Sequence, residues 1–192
     1  MRKKNITTDM MKSYITESLF LLMEKKPYGA ISIGEITQKA GVNRSTYYRN
    51  FSSKEDIVRF FLDGLMKQYS DAYKINEEHS IEVYLQILFS CFYDHKEELL
   101  LLNRDRLSHM LLNTFNDWLN KPRRMSPDFT QEQHRIAYHI GGIYNSMILW
   151  ISHGMAESPA EMTQISMSIL PKGFQPLLLE IMRFNKEDKN QL

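Results

Sequence analysis

The stretch richest in potential chemistry is Arg44-Ser45-Thr46-Tyr47-Tyr48-Arg49, with two guanidinium groups, two aliphatic hydroxyls and two phenols in six residues. Arginine presents a planar fork of donors that suits phosphate oxygens and guanine edges, and Ser or Thr can approach base edges closely. Tyr47, Tyr48 and Arg49 have the reach to touch phosphates or bases at a groove rim. Lys54 stands where a helix start is expected, and a cation there opposes the helix dipole, so a phosphate is the anion that would offset it. Two other constellations could carry chemistry. Cys91 and His95 are spaced i, i+4 and could be read as a nucleophile and its base. No third orienting group or oxyanion-hole signature accompanies them, so a buried thiol beside a surface imidazole is the simpler reading. His134 and His139 are five residues apart, roughly 140° around a helix, and no carboxylate completes a metal set, so neither a metal nor a cofactor is expected. No Gly-rich phosphate loop, paired-carboxylate site or Ser-His-Asp pattern is present.

These residues need helices to position them. Met11, Ile15, Leu19 and Leu22 form one apolar stripe, predicting a helix over about 8–25, stopped by Pro27-Tyr28-Gly29. Ser32 with Glu35 has capping-box spacing and starts a short helix that runs to about Ala40. Gly41 can take the left-handed conformation that ends it, Val42 supplies an apolar plug, and Asn43 caps the segment Arg44 to Asn50. Ser52 and Ser53, each followed three residues later by an acid, cap a long helix with Val58, Leu62, Leu65 and Tyr69 on one face. Two short helices joined by a tight turn within a three-helix unit form a helix-turn-helix arrangement, in which the second of the pair enters the DNA major groove.

Beyond Ser80 the pattern is helix after helix: Ile81 to Tyr93, Lys96 to Leu102, Leu107 to Leu119, Gln131 to Met155, Ser158 to Leu170, and a last amphipathic set at Phe174, Leu177, Leu178 and Ile181. The segment Asn120 to Phe129 reads as a loop. Gln131 to Met155 is apolar over most of its circumference. It carries Ile136, Ile140, Ile143, Met147 and Trp150 on one face and Ala137, Gly141, Tyr144, Ile148 and Ile151 on its neighbour, so burial on two sides is expected, one of them against a second subunit. Gly141-Gly142 inside a helix costs about 1 kcal/mol per glycine relative to alanine, and close approach of another helix is the commonest compensation. The expected dimer surface is Ile140, Gly141, Tyr144, Ile148 and Trp150, with Leu178 and Ile181 from the last helix. Met147 and Met155 read as core filling.

Composition agrees with an all-α protein: 192 residues, 43% apolar and 24% charged, with 8 Gly and 6 Pro. The net charge is +1, yet residues 1–60 hold 11 Lys and Arg against 6 Asp and Glu, leaving the remainder acidic. Such asymmetry marks an anion-binding end, for which nucleic acid is the commonest partner. Arg2, Lys3 and Lys4 are either an arm that touches DNA or a solvated end. The single Cys91 excludes an internal disulfide and fits a reducing compartment; with no evident signal segment or membrane span, a cytoplasmic protein is expected.

The run from Ile31 through Ala40-Gly41-Val42, Tyr48, Phe51 and Lys54-Glu55-Asp56 to Ile57 resembles the DNA-binding signature of the TetR family of bacterial transcriptional regulators. The resemblance implies an N-terminal helix-turn-helix domain over 1–53, a linking helix over about 53–76, and a helical ligand-binding and dimerisation domain completing 54–192. It implies a homodimer on a pseudo-palindromic double-stranded operator, most commonly a repressor released by a small-molecule effector, and no enzyme. The DNA-contacting set is then Ser32, Asn43, Arg44, Ser45, Thr46, Tyr48, Arg49 and Lys54, with Tyr47 packed inside and its hydroxyl exposed. The segment from Gly141 through Trp150 to Glu161 is weakly similar to the branch that holds regulators of dihydroxyacetone kinase operons. That branch implies an alternative, a coactivator governed by a protein partner.

Overall fold

Five helix starts rest on one local solution, a side-chain oxygen that accepts a backbone N–H of the first turn. Ser32, Ser53 and Ser158 do so as full capping boxes with Glu35, Asp56 and Glu161, while Asn43 and Ser80 cap without the reciprocal carboxylate. In a computed structural model these caps open helices of an all-helical protein whose described residues are 2–78, 80–119 and 129–170. The elements are α1 (Arg2–Met23), a 3-10 turn (Tyr28–Ala30), α2 (Ile33–Lys39), α3 (Arg44–Asn50), α4 (Lys54–Ile75), α5 (Ile81–Tyr93), α6 (Lys96–Arg104), α7 (His109–Leu119), α8 (Phe129–Ser152) and α9 (Pro159–Ile169). The last amphipathic set, from Phe174 to Ile181, and the loop with Lys121, Arg123 and Arg124 lie outside the described residues.

The apolar stripe of α1 buries Ile15 and Leu19 against Ile36 of α2, Tyr47 of α3 and Ile57 and Val58 of α4, which closes the first three-helix unit. With 22 residues α4 runs about 33 Å, long enough to leave that unit and carry Leu62, Leu65, Tyr69 and Tyr73 against α5 and α7. There α5 is sandwiched between α4 and α9, and α8 packs on α6 and α7.

The junction between the two parts is held by main-chain groups. Arg104 Nη2 donates to the Met23 carbonyl at 2.7 Å, and the Tyr28 N–H donates to Asp105 Oδ2 at 3.1 Å. Arg104 and Asp105 also pair with each other at 2.9 Å. The end of α6 therefore grips the end of α1 and the turn that follows it. No helix among the described residues is long and apolar enough to cross a membrane.

Candidate nucleic-acid interface

At the turn between α2 and α3, Gly41 has φ +66°, in the region where a side chain is strained, and the Val42 N–H reaches back to the Thr37 carbonyl at 3.0 Å. Asn43 Oδ1 then accepts the Thr46 N–H at 2.7 Å and the Ser45 hydroxyl at 2.8 Å. These bonds set where α3 begins, so Asn43 and Ser45 both serve its start. Ser32 likewise spends its hydroxyl on Glu35, donating to Oε2 at 2.8 Å and accepting the Glu35 N–H at 3.2 Å.

The α3 side chains divide sharply. Tyr47 is wholly buried, with Tyr48 edge-on to its ring and Phe51 beside it. Arg44, Ser45, Tyr48 and Arg49 are exposed and Thr46 is half-buried. Arg49 Nη2 donates to Thr46 Oγ1 at 3.1 Å and its Nε to the Ser45 carbonyl at 3.3 Å, which holds the guanidinium along its own helix. Arg44 lies against α2 at Gly34, where a methyl group would come within 3.3 Å of its guanidinium. The result is a short capped helix with a cationic and hydroxyl-bearing outer row and one aromatic anchor inward.

Tyr47 departs from expectation in one respect: its hydroxyl is buried and has no hydrogen-bond partner, and burial pushes its pKa up to about 12. An unbonded buried hydroxyl is a desolvation cost without a return. Tyr47→Phe should therefore leave the unfolding free energy unchanged or raise it by about 1 kcal/mol, as read by urea denaturation.

The compensation expected for Lys54 from a phosphate is supplied inside the chain. Its Nζ donates to the carbonyls of Tyr28 and Ile31 at 2.8 and 2.7 Å and sits 4.3 Å from the Tyr28 ring centroid. Lys54→Ala should consequently lower stability by about 1.5–3 kcal/mol in thermal or urea melts, a cost that a purely phosphate-binding lysine would not show. Sequence reasoning missed Tyr28, because the three-residue turn that aims its carbonyl has no periodic signal. It also missed Lys12 of α1, whose ammonium stands 5.6 and 5.3 Å from the rings of Phe51 and Phe60 and adds a cation beside the end of α3.

The residues expected at a dimer surface are not all brought together. Trp150 and Ile140 are 2% and 3% exposed. Trp150 is stacked on Tyr93, edge-on to Phe89, and donates from Nε1 to the Glu157 carbonyl at 3.1 Å. Both side chains are consumed by this chain's own core. Gly141, Tyr144 and Ile148 are half-exposed, whereas Leu178 and Ile181 lie outside the described residues. The close approach expected at Gly141-Gly142 is absent among the described residues, since a Cβ at either would meet nothing within 4 Å.

Cys91 is buried and its thiol pKa is raised by burial, the reverse of an activated nucleophile, while His95 Nε2 is engaged with Gln68 at 3.1 Å. Among the described residues no group of three or more His, Cys, Asp or Glu could hold a metal ion.

Residues 15–59 match the family of bacterial regulatory proteins described as the tetR family. The chain is 25% identical over 95 residues to the biofilm operon icaADBC HTH-type negative transcriptional regulator IcaR of Staphylococcus epidermidis, covering 45% of this chain and 48% of that protein. It is 27% identical over 81 residues to the HTH-type transcriptional regulator EthR of Mycolicibacterium smegmatis, covering 38% of this chain and 37% of that one. The chain thus spans less than half the length of either relative. The matched stretch runs from within α1 into α4 and takes in the whole turn between α2 and α3, so residues 15–59 form a helix-turn-helix unit similar to that of the tetR family of bacterial regulatory proteins.

Proposed function

We propose that the protein is a homodimeric transcriptional regulator that reads a pseudo-palindromic operator through α3, acting as a repressor released by a small-molecule effector. The observation that carries this reading is the outer row of α3, Arg44, Ser45, Tyr48 and Arg49, exposed on a helix whose start is set by Asn43 and whose inner face is anchored by Tyr47. Two arginines at one face match phosphates and guanine edges, and Ser45 and Thr46 are short enough to meet base edges. Residues 1–53 form the reading domain, α4 links it to the remainder, and 54–192 forms the regulatory domain. The sign of regulation follows the relative named as a negative regulator.

Dimerisation is assigned to the outer face of α8. Tyr138 and Leu149 are 76% and 58% exposed, and Gly142, on the same stripe, is also exposed. Half-exposed Gly141, Tyr144 and Ile148 border them. Glycines with open space above them allow a second helix to approach closely. That approach is not made within the described chain, and a second subunit would make it.

The test is selection of duplexes by the purified full chain at stated salt, with Arg44→Ala as control. Enrichment of a palindrome is expected, with affinity falling steeply as salt rises. Arg44→Ala should cost about 1–3 kcal/mol of specific binding and alter base preference at the position it contacts. A protein that enriches no sequence over the Arg44→Ala background would overturn the reading. Lys54→Ala is a poor control, because the lysine holds the turn before α2.

A further inference from the structure

At the carboxyl end of α3 a cleft of about 280 Å3 opens between α1, α3 and α4. Lys12 of α1, Tyr48, Arg49 and Asn50 of α3, Ser52 of the turn that follows and Arg59 of α4 line it. Tyr48 and Arg49 also belong to the exposed outer row of α3, so the cleft continues that row onto α1 and α4. Two carboxylates share the lining. Asp56 is spent on the start of α4, its Oδ2 accepting the Ser52 and Ser53 N–H groups at 2.9 and 3.1 Å and its Oδ1 facing Arg59 Nη1 at 3.5 Å, and Asp63 is engaged as well. Lys12, Arg49 and Arg59 against these two acids leave the cleft net positive.

Lys12 differs from its neighbours in what it bonds. Of the half-buried lysines described between residues 8 and 60, Lys26 pairs with Glu35, and Lys54 donates to the carbonyls of Tyr28 and Ile31. Lys12 is half-buried too, yet among the described residues it has no ion pair and no hydrogen bond. A lysine that served the dipole of α3 would donate to the carbonyls of its last turn, and Lys12 donates to none of them. The rings of Phe51 and Phe60, 5.6 and 5.3 Å from its Nζ, hold the ammonium in place and leave its N–H donors to an outside acceptor. Arg49 has capacity left as well: its Nε and Nη2 are bonded along its own helix, and Nη1 takes no part in those bonds.

From this arrangement we infer that Lys12 binds a backbone phosphate of the DNA strand beside the bases that α3 faces, with Arg49 and Tyr48 on the other side of the same cleft. This role rests on the reading of α3 proposed above and adds to it a contact from α1, an element outside the helix-turn-helix pair. A phosphate contact fixes register and carries no base preference. Lys12 therefore contributes affinity and salt dependence to every sequence alike, whereas Arg44 contributes base preference.

Fluorescence anisotropy of a labelled duplex of random sequence, titrated with the full chain at a series of salt concentrations, tests this role. Lys12→Met keeps a flexible apolar chain on the two rings, so its thermal midpoint should stay at that of the parent. Its affinity should fall about fivefold, and the slope of log affinity against log salt should become shallower by about 0.9. Lys12→Gln should give the same change in slope, and Lys12→Arg should keep the parental one. Lys67→Met, which removes an exposed cation of α4 that does not line the cleft, should also keep it. A parental slope in Lys12→Met and Lys12→Gln, while the parent binds the duplex, would overturn the Lys12 contact alone. A loss in Lys67→Met as large as that in Lys12→Met would overturn it too, since net charge would then account for the effect. A parent that binds no duplex would overturn the reading of α3 and this contact with it.

Discussion

Truncating Trp150 to alanine is expected to lower the unfolding free energy by about 3–5 kcal/mol, a large share of the roughly 5–15 kcal/mol that holds a folded protein together. The magnitude follows from its setting. The indole is 2% exposed, lies 5.9 Å from the Tyr93 ring centroid and 5.5 Å from that of Phe89, and donates to the Glu157 carbonyl just before α9 begins. Its removal opens a cavity between α5 and α8 and strips the bond that fixes the entry to α9. Trp118 is the other tryptophan and reports the transition in the variant by fluorescence. Were Trp150→Ala to remain as stable as the parent while losing its dimer, the indole would belong to a subunit interface and the packing described above would be wrong.

Acidification should bring a second large loss. His139 of α8 is 7% exposed, its Nε2 3.2 Å from the Tyr84 hydroxyl of α5, and the Tyr69 and Tyr73 rings of α4 pack around Tyr84. Burial lowers its pKa from 6.5 to about 4. Below pH 6.5 the unfolded chain takes up a proton that the folded chain refuses, so stability present above pH 6.5 is lost as pH falls towards 4. The shift corresponds to about 3 kcal/mol across that window. His139→Gln should flatten the slope of stability against pH between 6.5 and 4, measured by urea unfolding at a series of pH values. An unchanged slope in that variant would place the titrating group elsewhere. The carboxylates act lower on the scale: Glu35, bonded by the Lys26 ammonium and the Ser32 N–H and hydroxyl, is held at about 2, so its contribution is present above pH 4.5 and fades only below that.

The sequence by itself determined the helix starts capped at Ser32, Asn43, Ser53 and Ser158, together with the Gly41 turn and the inward stripes of α1 and α4, whereas α1 begins at Arg2 rather than near residue 8 and α8 at Phe129 rather than Gln131. The capped starts are decided by interactions within four residues: Ser32 with Glu35, Asn43 with Thr46, Ser53 with Asp56, and Ser158 with Glu161. Tertiary structure alone decided which of two apolar faces an element hides. α8 is apolar over most of its circumference, so periodicity could not rank its faces. Packing on α6 and α7, with Phe89 and Tyr93 of α5 against the indole, took Trp150 inward and left Tyr138 and Leu149 outside. Lys54 and Tyr47 have the same lesson on a smaller scale. Their partners, a carbonyl 26 residues away and a core assembled from four helices, are long-range, and no local spacing encodes them. Glu17 and Glu98 line one cleft although 81 positions of sequence separate them, and only the meeting of α1 and α6 brings these surface acids together.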